Sequence, residues 1–179
     1  MRQWFALSAI GADRPGFVAD LAALIYECDC NLEESSMTML GTEFAVLLLL
    51  SGQGPDLERR LSAGCKRLEW EKRLTVFFRP LDAEPRRTSP EGTRMECVVT
   101  GVDKAGIVAR IARALADQGI NVTNLRTESQ REAESGTPMY VMHMQLEVPL
   151  GLTTGAVLAR LNPIADELRV DLTLTERAR

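Results

Sequence analysis

Two short stretches decide the fold of this 179-residue chain: Gly11-Ala-Asp-Arg-Pro-Gly16 and Gly101-Val-Asp-Lys-Ala-Gly106. They lie 90 residues apart. Sliding the chain against itself by 90 positions superposes seven identical residues over positions 7–37 without a gap, namely Gly11, Asp13, Gly16, Val18, Ala19, Ala22 and Asn31 on Gly101, Asp103, Gly106, Val108, Ala109, Ala112 and Asn121. Such self-similarity indicates an internal duplication. The apolar N-terminal stretch is therefore predicted to be the first strand of copy one, not a cleaved leader.

Both copies predict the same order of elements. A short apolar strand leads into the Asp-containing loop, and a helix follows, with apolar residues at helical spacing. Those residues are Phe17, Leu21, Leu24, Ile25 and Cys28 in copy one, and Val108, Ile111, Ala112 and Leu115 in copy two. Two strands, a second helix and a last strand complete each copy. The predicted fold class is α+β: two ferredoxin-like βαββαβ domains, each an antiparallel four-stranded sheet with its first and third strands central and two helices on one face.

The domain boundary is predicted in a segment without periodicity. Residues 81–93 contain Pro85, Pro90 and Gly92 together with several charges, which is typical of a linker. This gives domain 1 at residues 1–80, a linker at 81–93 and domain 2 at 94–179.

Local signals predict how some elements begin and how one sheet face is covered. Asp13 is expected to cap the first helix, and Pro163 to kink or restart the last one. The run Phe44–Leu50 is apolar at every position, so both faces of that strand should be covered. Because the helices cover only one face, we expect the other to be buried in an interface.

Composition and charge exclude several classes of protein. The chain carries 21 Lys+Arg and 25 Asp+Glu, with a net charge of −2 in residues 1–80 (9 basic, 11 acidic) and −2 in residues 81–179 (12 basic, 14 acidic). This balance argues against direct nucleic-acid binding. The longest apolar run is far too short for a membrane helix. Four cysteines and one histidine at unsuitable spacings predict no metal site and no cofactor, and they suit a reducing cytoplasm.

Other functions of ferredoxin-like proteins fit the residues poorly. An RNA-recognition domain needs stacking aromatics and basic surroundings, and a copper chaperone needs a thiol pair in the first loop. An acylphosphatase-like site could use Arg14 and Asn31, but Lys104 replaces the arginine in copy two. His143 is expected to be a surface or interface residue. Glu33 and Glu34 are adjacent on a strand, so they should face opposite sides and not act as a catalytic pair. The chain is predicted not to be an enzyme.

The repeated D-[RK]-[PA]-G…N pattern in a βαββαβ frame resembles the ACT domain, a small-molecule-binding regulatory module. In copy one, Gly11–Gly16, Cys30-Asn31-Leu32, Leu40-Gly41-Thr42-Glu43-Phe44 and Leu50-Ser51-Gly52 resemble the glycine cleavage system transcriptional repressor family, which consists of two tandem ACT domains. In copy two, Gly119-Ile120-Asn121-Val122, Leu125-Arg126-Thr127 and Thr137-Pro138-Met139-Tyr140 agree with it. The sequence departs from the family pattern at two places that bear on which ligand is bound. Glu34, Ser35 and Ser36 stand where the family tends to have an Asp-Ser-Arg run, and Ala105 stands in copy two where copy one has Pro15.

The resemblance implies a regulatory protein that senses a small amino acid such as glycine and modulates a transcription factor by protein contact, as a homo-oligomer without direct DNA binding. An alternative is a stand-alone ACT regulatory subunit that controls a metabolic enzyme. A helix N-terminus suits a carboxylate, and an asparagine offers both a donor and an acceptor to a zwitterion. The expected ligand-binding residues are Asp13, Arg14, Gly16, Asn31, Asp103, Gly106 and Asn121. Purely structural roles for them, as helix cap, tight-packing glycine and strand start, stay open.

Overall fold

The chain divides into two compact units in the computed structural model, Met1–Arg87 (unit 1) and Thr88–Arg179 (unit 2). The structure describes residues 1–85, 92–131 and 138–177. Six of the 13 residues predicted as a linker, residues 86–91, lie outside the described residues. The flanking strands extend into that predicted segment, since one ends at Leu81 and the next begins at Gly92.

Unit 1 contains four strands and two helices in the order βαββαβ. The elements are β1 (Gln3–Ala12), α1 (Phe17–Glu27), β2 (Cys30–Leu40), β3 (Glu43–Gly52), α2 (Leu57–Lys72) and β4 (Thr75–Leu81). The strands form one sheet in the order β2-β3-β1-β4, and every neighbouring pair is antiparallel. The first and third strands are central, which confirms the predicted topology.

Unit 2 repeats the same arrangement. Its elements are β5 (Gly92–Val102), α3 (Ile107–Ala116), β6 (Asn121–Arg131), β7 (Pro138–Pro149), α4 (Thr154–Leu168) and β8 (Val170–Glu176). The sheet order is β6-β7-β5-β8, again antiparallel throughout. The predicted α+β class with two ferredoxin-like units is therefore confirmed.

Each unit has its own core between its sheet and its two helices. In unit 1, alternate residues of β1 such as Phe5 and Leu7 are buried against Phe17 and Leu61, and Phe5 stacks on Phe78 at 5.3 Å between ring centroids. In unit 2, the predicted core position Val108 is 38% exposed. The neighbouring Ile107, at the first position of α3, is buried in its place.

The helix starts differ from the prediction. Asp13 does not cap α1: the N-cap residue is Gly16, with φ 89°, and no side chain caps the helix. Gly106 takes the same place before α3, with φ 95°. A left-handed backbone at both positions explains why glycine recurs there, because a side chain would strain it. Pro163 does not restart α4, which is a single helix from Thr154 to Leu168.

The helix-free faces of the two sheets, called open faces below, differ in polarity. Cross-strand partners share a face, so Leu47 and Phe77 lie with Ser8 on the open face of unit 1, where they are 57% and 67% exposed. In unit 2 the corresponding face carries His143, paired with Arg126 and Val98. Burial of the apolar face of unit 1 in an interface stays a prediction, since the structure contains one chain.

Candidate functional site

The predicted binding loops are held in the same way in both units. The backbone N–H of Asp13 donates to the carbonyl of Thr42 at 3.0 Å, and the N–H of Asp103 donates to the carbonyl of Pro138 at 3.0 Å. Each loop is thereby tied to the start of the third strand of its unit. Gly16 and Gly106 then lead into the helices. The structure thus brings Asp13, Arg14 and Gly16 together in one loop.

Arg14 is engaged by an acidic residue of the helix that follows the loop. Its guanidinium Nη2 donates to Asp20 Oδ2 at 2.5 Å, and Lys72 Nζ lies 3.3 Å from the other oxygen of Asp20. The hydrogen bond from Arg14, opposed by desolvation and assisted by Lys72, lowers the pKa of Asp20 below its usual range. Arg14 therefore ties the loop to α1, which is a structural role whether or not it also meets a ligand.

Asn31 lies at the opposite end of the sheet from the loop. It pairs across the strands with Ser51, which in turn pairs with Trp4, whereas the loop follows Ala12. Eight residues along β1 separate the two ends, which is about 27 Å at 3.4 Å per residue. Within unit 1, therefore, Asp13–Gly16 and Asn31 do not surround one small ligand.

The same separation is present in unit 2. Asn121 pairs with Glu147, which pairs with Arg94, while the loop follows Val102. The side-chain Nδ2 of Asn121 donates to Glu147 Oε2 at 3.3 Å. Asp103 accepts a long hydrogen bond of 3.4 Å from Ser129 at the loop end. The asparagine and the loop are therefore two separate places in each unit.

A cluster of polar side chains surrounds the start of β1 beside Asn31. Ser51 is fully buried, and its Oγ accepts from Arg2 Nε at 3.0 Å and from Nη2 at 2.8 Å. The Ser51 hydroxyl donates to Glu33 Oε1 at 2.5 Å, and Arg2 and Glu33 form an ion pair. The hydrogen bond from Ser51, opposed by desolvation and assisted by Arg2, lowers the pKa of Glu33.

Glu33 reaches this cluster because β2 is bulged. The pairing with β3 shifts between Leu32 and Glu34, so Glu33 is the extra residue. A bulge interrupts the alternation of faces. The expectation that Glu33 and Glu34 point to opposite faces is therefore wrong: Glu33 bonds to Ser51, and Glu34 pairs with Leu49, which shares the open face with Ser51. Unit 2 has the same bulge, between Val122 and Asn124.

An open cavity of about 430 Å³ adjoins the cluster; we call it the Arg2 pocket. Its lining residues are Arg2, Asp29, Asn31, Ser51, Gly52 and Gln53. Of these, sequence reasoning singled out only Asn31. One signal in the sequence could have found Asp29, because the 90-residue offset places it on Gly119, where the duplicate carries no side chain.

The described residues offer little for metal or redox chemistry. Residues 1–85, 92–131 and 138–177 contain no group of three or more His, Cys, Asp or Glu side chains that could hold a metal ion. All four cysteines are free. Burial raises the pKa of the Cys65 and Cys97 thiols, to about 11 and about 12. In this part of the chain no helix is both long and apolar enough to cross a membrane.

Comparison with protein families decides what the two units are. An ACT-domain model matches residues 3–79, and a second ACT-domain model matches residues 95–160, so that together they cover most of the chain. The chain belongs to the ACT-domain family, with two ACT domains in tandem. The resemblance found in the sequence is thereby confirmed.

Curated relatives of this tandem ACT protein include a transcriptional regulator. This chain is 27% identical over 132 residues to proteins named glycine cleavage system transcriptional repressor from Escherichia coli (strain K12) and Shigella flexneri. The match spans 72% of this chain and 66% of those relatives, slightly less than two thirds of their length. A second relative, UPF0237 protein MK1213 of Methanopyrus kandleri, is 36% identical over 66 residues, which is 37% of this chain and 69% of that protein.

Solved structures share the fold over nearly the whole chain. A crystal structure of an unknown protein from Galdieria sulphuraria has a TM-score of 0.77 and 27% identity, covering 99% of this chain and 100% of that one. Another, provisionally described as a glycine cleavage system transcriptional repressor, has a TM-score of 0.75 and 22% identity over 100% of this chain and 99% of its own. The second likeness supports the fold alone.

Proposed function

We propose that this tandem ACT protein is a non-enzymatic regulator that senses a small amino acid and acts on a transcriptional regulator through protein contact. The observation that carries the proposal is the pair of ACT domains, together with the similarity to proteins named as repressors of the glycine cleavage system. A small amino acid such as glycine is the effector class that this similarity suggests.

The helix starts support recognition of a carboxylate. Gly16 and Gly106 precede α1 and α3 without a side-chain cap, so no side chain competes for the first N–H groups of either helix. The positive end of a helix dipole and free N–H groups together attract an anion. Asp13 and Asp103 flank these positions and could accept from an ammonium group. Each loop thus offers one group to each end of a zwitterion, the helix N-terminus to the carboxylate and the aspartate to the ammonium group.

The separation between loop and asparagine supports a site completed by a second copy of the chain. Because Asn31 lies about 27 Å from the loop along β1, both can contact one small ligand only if they come from different copies. The edge strands β2 and β6 each pair on one side only. An antiparallel approach of two β2 edges would bring Asn31 of one copy toward the loop of the other. We therefore propose that the sensor is a homo-oligomer.

Charge and surface polarity support contact with protein instead of DNA. The net charge of −4 disfavours an electrostatic grip on phosphates. The open face of unit 1, with Leu47 and Phe77 exposed, offers apolar area of the kind that protein interfaces bury. A regulator acting through this face would need no DNA-binding element of its own.

A thermal-shift screen against the common amino acids tests the proposal. A ligand that binds only the folded state raises the melting temperature, by an amount that grows with its concentration. We expect glycine or another small amino acid to stabilise the protein, and Asn31→Ala or Asn121→Ala to reduce the shift. Asn124→Ala, another exposed asparagine of β6, is the matched control and should keep the full shift.

A gel-shift experiment tests the mode of action. The purified protein should form no sequence-specific complex with DNA at physiological salt. A tight, specific complex would contradict regulation through protein contact, while leaving amino-acid sensing in place. An absence of any amino-acid response in the thermal screen would contradict the sensor proposal itself.

A further inference from the structure

The Arg2 pocket combines opposite charges in a small space. Arg2 and Asp29 both line it, and Asn31, Ser51 and Gln53 add polar groups. A ligand with one positive and one negative end matches such a lining, whereas a purely anionic or purely cationic ligand would meet one repelling group. The α-amino acids carry both charges on neighbouring atoms.

The guanidinium of Arg2 is held in one position by three residues. Ser51 accepts from Nε and Nη2, Glu33 pairs with Nη2, and the Trp4 ring lies 5.0 Å from the guanidinium carbon. Within the described chain these contacts leave Nη1 without a hydrogen-bond partner, and nearly half of the Arg2 side chain is exposed. A positioned guanidinium with a remaining donor can bind a carboxylate without first losing conformational freedom.

Asp29 occupies a backbone conformation that favours glycine. Its φ is 58°, and at the equivalent position of unit 2 the residue is Gly119, with φ 71°. A left-handed backbone is more costly for aspartate than for glycine. Among the described residues, the Asp29 carboxylate has no hydrogen bond or ion pair that would repay this cost. Asp56, Arg73 and Arg169 share this left-handed φ, so the conformation alone does not mark a site. What sets Asp29 apart is an unpaired carboxylate beside a pocket, where unit 2 has no side chain.

Asn31 adds a neutral group that can serve either end of a ligand. No hydrogen bond joins its side-chain amide to the described part of the chain, although Asn121 at the same place in unit 2 donates to Glu147. A side-chain amide offers both donors and an acceptor. Asn31 is therefore available where its duplicate is engaged.

Unit 2 lacks the equivalent set of charges. Strand register and the 90-residue offset give the counterparts of Trp4, Ser51, Glu33 and Asp29 as Arg94, Glu147, Thr123 and Gly119. The buried serine and the strained carboxylate are both absent there, so the arrangement belongs to unit 1 alone.

We propose that the Arg2 pocket of unit 1 binds an α-amino acid by its two charged ends. Arg2 receives the carboxylate, Asp29 receives the ammonium group, and Asn31 hydrogen-bonds to the ligand. Ser51 and Glu33 act as positioning residues that hold Arg2. This inference rests on the proposed sensing of an amino acid. It identifies Arg2 and Asp29 as the charged groups that bind the ligand beside Asn31.

Titration calorimetry on the full chain tests the assignment, with glycine as the first probe and then the amino acid that gives the largest thermal shift. Each charged partner lost should weaken binding roughly ten- to a hundredfold, so Arg2→Gln and Asp29→Asn should both do so. Acetate and methylammonium, each carrying one of the two charged ends, should bind at least about tenfold more weakly than glycine. Arg113→Gln and Asp117→Asn, which break an exposed ion pair of unit 2, are controls and should leave affinity unchanged.

Asp29→Gly separates loss of binding from loss of folding. Glycine relieves the left-handed strain, so this variant should melt at a higher temperature than the parent without ligand and yet bind about as weakly as Asp29→Asn. Glu33→Gln should weaken binding, but the double variant with Arg2→Gln should bind no more weakly than Arg2→Gln alone, because Glu33 acts through Arg2.

The outcomes distinguish this inference from the proposed function. Amino-acid binding that survives Arg2→Gln and Asp29→Asn at full strength would overturn the inference and leave the sensor proposal intact. If acetate bound as tightly as glycine, the assignment of Asp29 to an ammonium group would be wrong. A chain that binds no amino acid at all would overturn both.

Discussion

Gly106→Ala isolates the energetic cost of a left-handed backbone in front of an ACT helix. Gly106 has φ 95°, and a Cβ built on it would meet no atom within 4 Å. The substitution therefore creates no steric clash with other residues, and its whole effect comes from the backbone. An L-residue in this region costs about 1–2 kcal/mol, which exceeds what alanine gains by restricting the unfolded chain.

The expected loss is measurable in a small unit. A loss of about 1–2 kcal/mol lowers the melting temperature of a domain of this size by roughly 4–16 °C. Urea unfolding followed by far-UV circular dichroism is the appropriate assay, since both tryptophans, Trp4 and Trp70, lie in unit 1. The midpoint should fall while the slope with urea stays unchanged, because the native and unfolded surfaces are the same.

Gly155→Ala is the matched control in the same unit. Gly155 lies in the first turn of α4, also has no atom within 4 Å of a built Cβ, and does not have a left-handed φ. Alanine there should be neutral or stabilising by up to about 1 kcal/mol. A Gly106→Ala protein as stable as the parent would refute the idea that backbone conformation requires glycine at this position.

Three further predictions concern stability and reactivity. Leu48→Ala should cost about 2–5 kcal/mol in urea unfolding because Leu48 is buried, whereas Leu47→Ala on the open face should change stability by no more than about 0.5 kcal/mol. The pKa of Glu33 is lowered in the folded protein, so the stability that Glu33 contributes is present above its ordinary pKa and is lost as pH falls through the folded value. Glu33→Gln should therefore weaken the pH dependence of the free energy of unfolding below about pH 5. The buried Cys97 thiol, with its pKa raised to about 12, should not react with a disulfide reagent at pH 8 until the protein unfolds.

Each of these has a contradicting result. Equal losses for Leu47→Ala and Leu48→Ala in the isolated chain would mean that the strand register is wrong. If the free energy of unfolding of Glu33→Gln fell with decreasing pH as steeply as that of the parent, the hydrogen bond from Ser51 would not favour the ionised carboxyl. Rapid labelling of Cys97 in the native protein would show that the core of unit 2 opens readily.

The duplication and the strand periodicity were sufficient to predict the topology, because both depend on patterns that span many residues. The alternation of Met142, Met144 and Leu146 on β7 placed one face in the core, and these residues are buried. Helix starts were less predictable. Asp13 is a residue type that commonly caps helices, but α1 begins after Gly16, so Gly16 and not Asp13 occupies the N-cap position.

The polar cluster of unit 1 could not be read from periodicity. Strict alternation on β2 places Glu33 and Glu34 on opposite faces, and a single-residue bulge changes that result. Arg2, Ser51 and Asp29 are far apart in sequence and come together only because β1 and β2 begin where β3 ends, at one end of the sheet. The duplicate offers one hint, since Gly119 stands where unit 1 keeps Asp29.

Equilibrium dialysis of the full chain against radiolabelled glycine, with other small amino acids as competitors, tests the central proposal most directly. A regulatory ACT protein that senses an amino acid should show saturable binding of glycine or of a competitor, reduced in Asn31→Ala and kept in Asn124→Ala. If none of the common amino acids binds saturably at millimolar concentration to the folded protein, amino-acid sensing by this tandem ACT chain is contradicted.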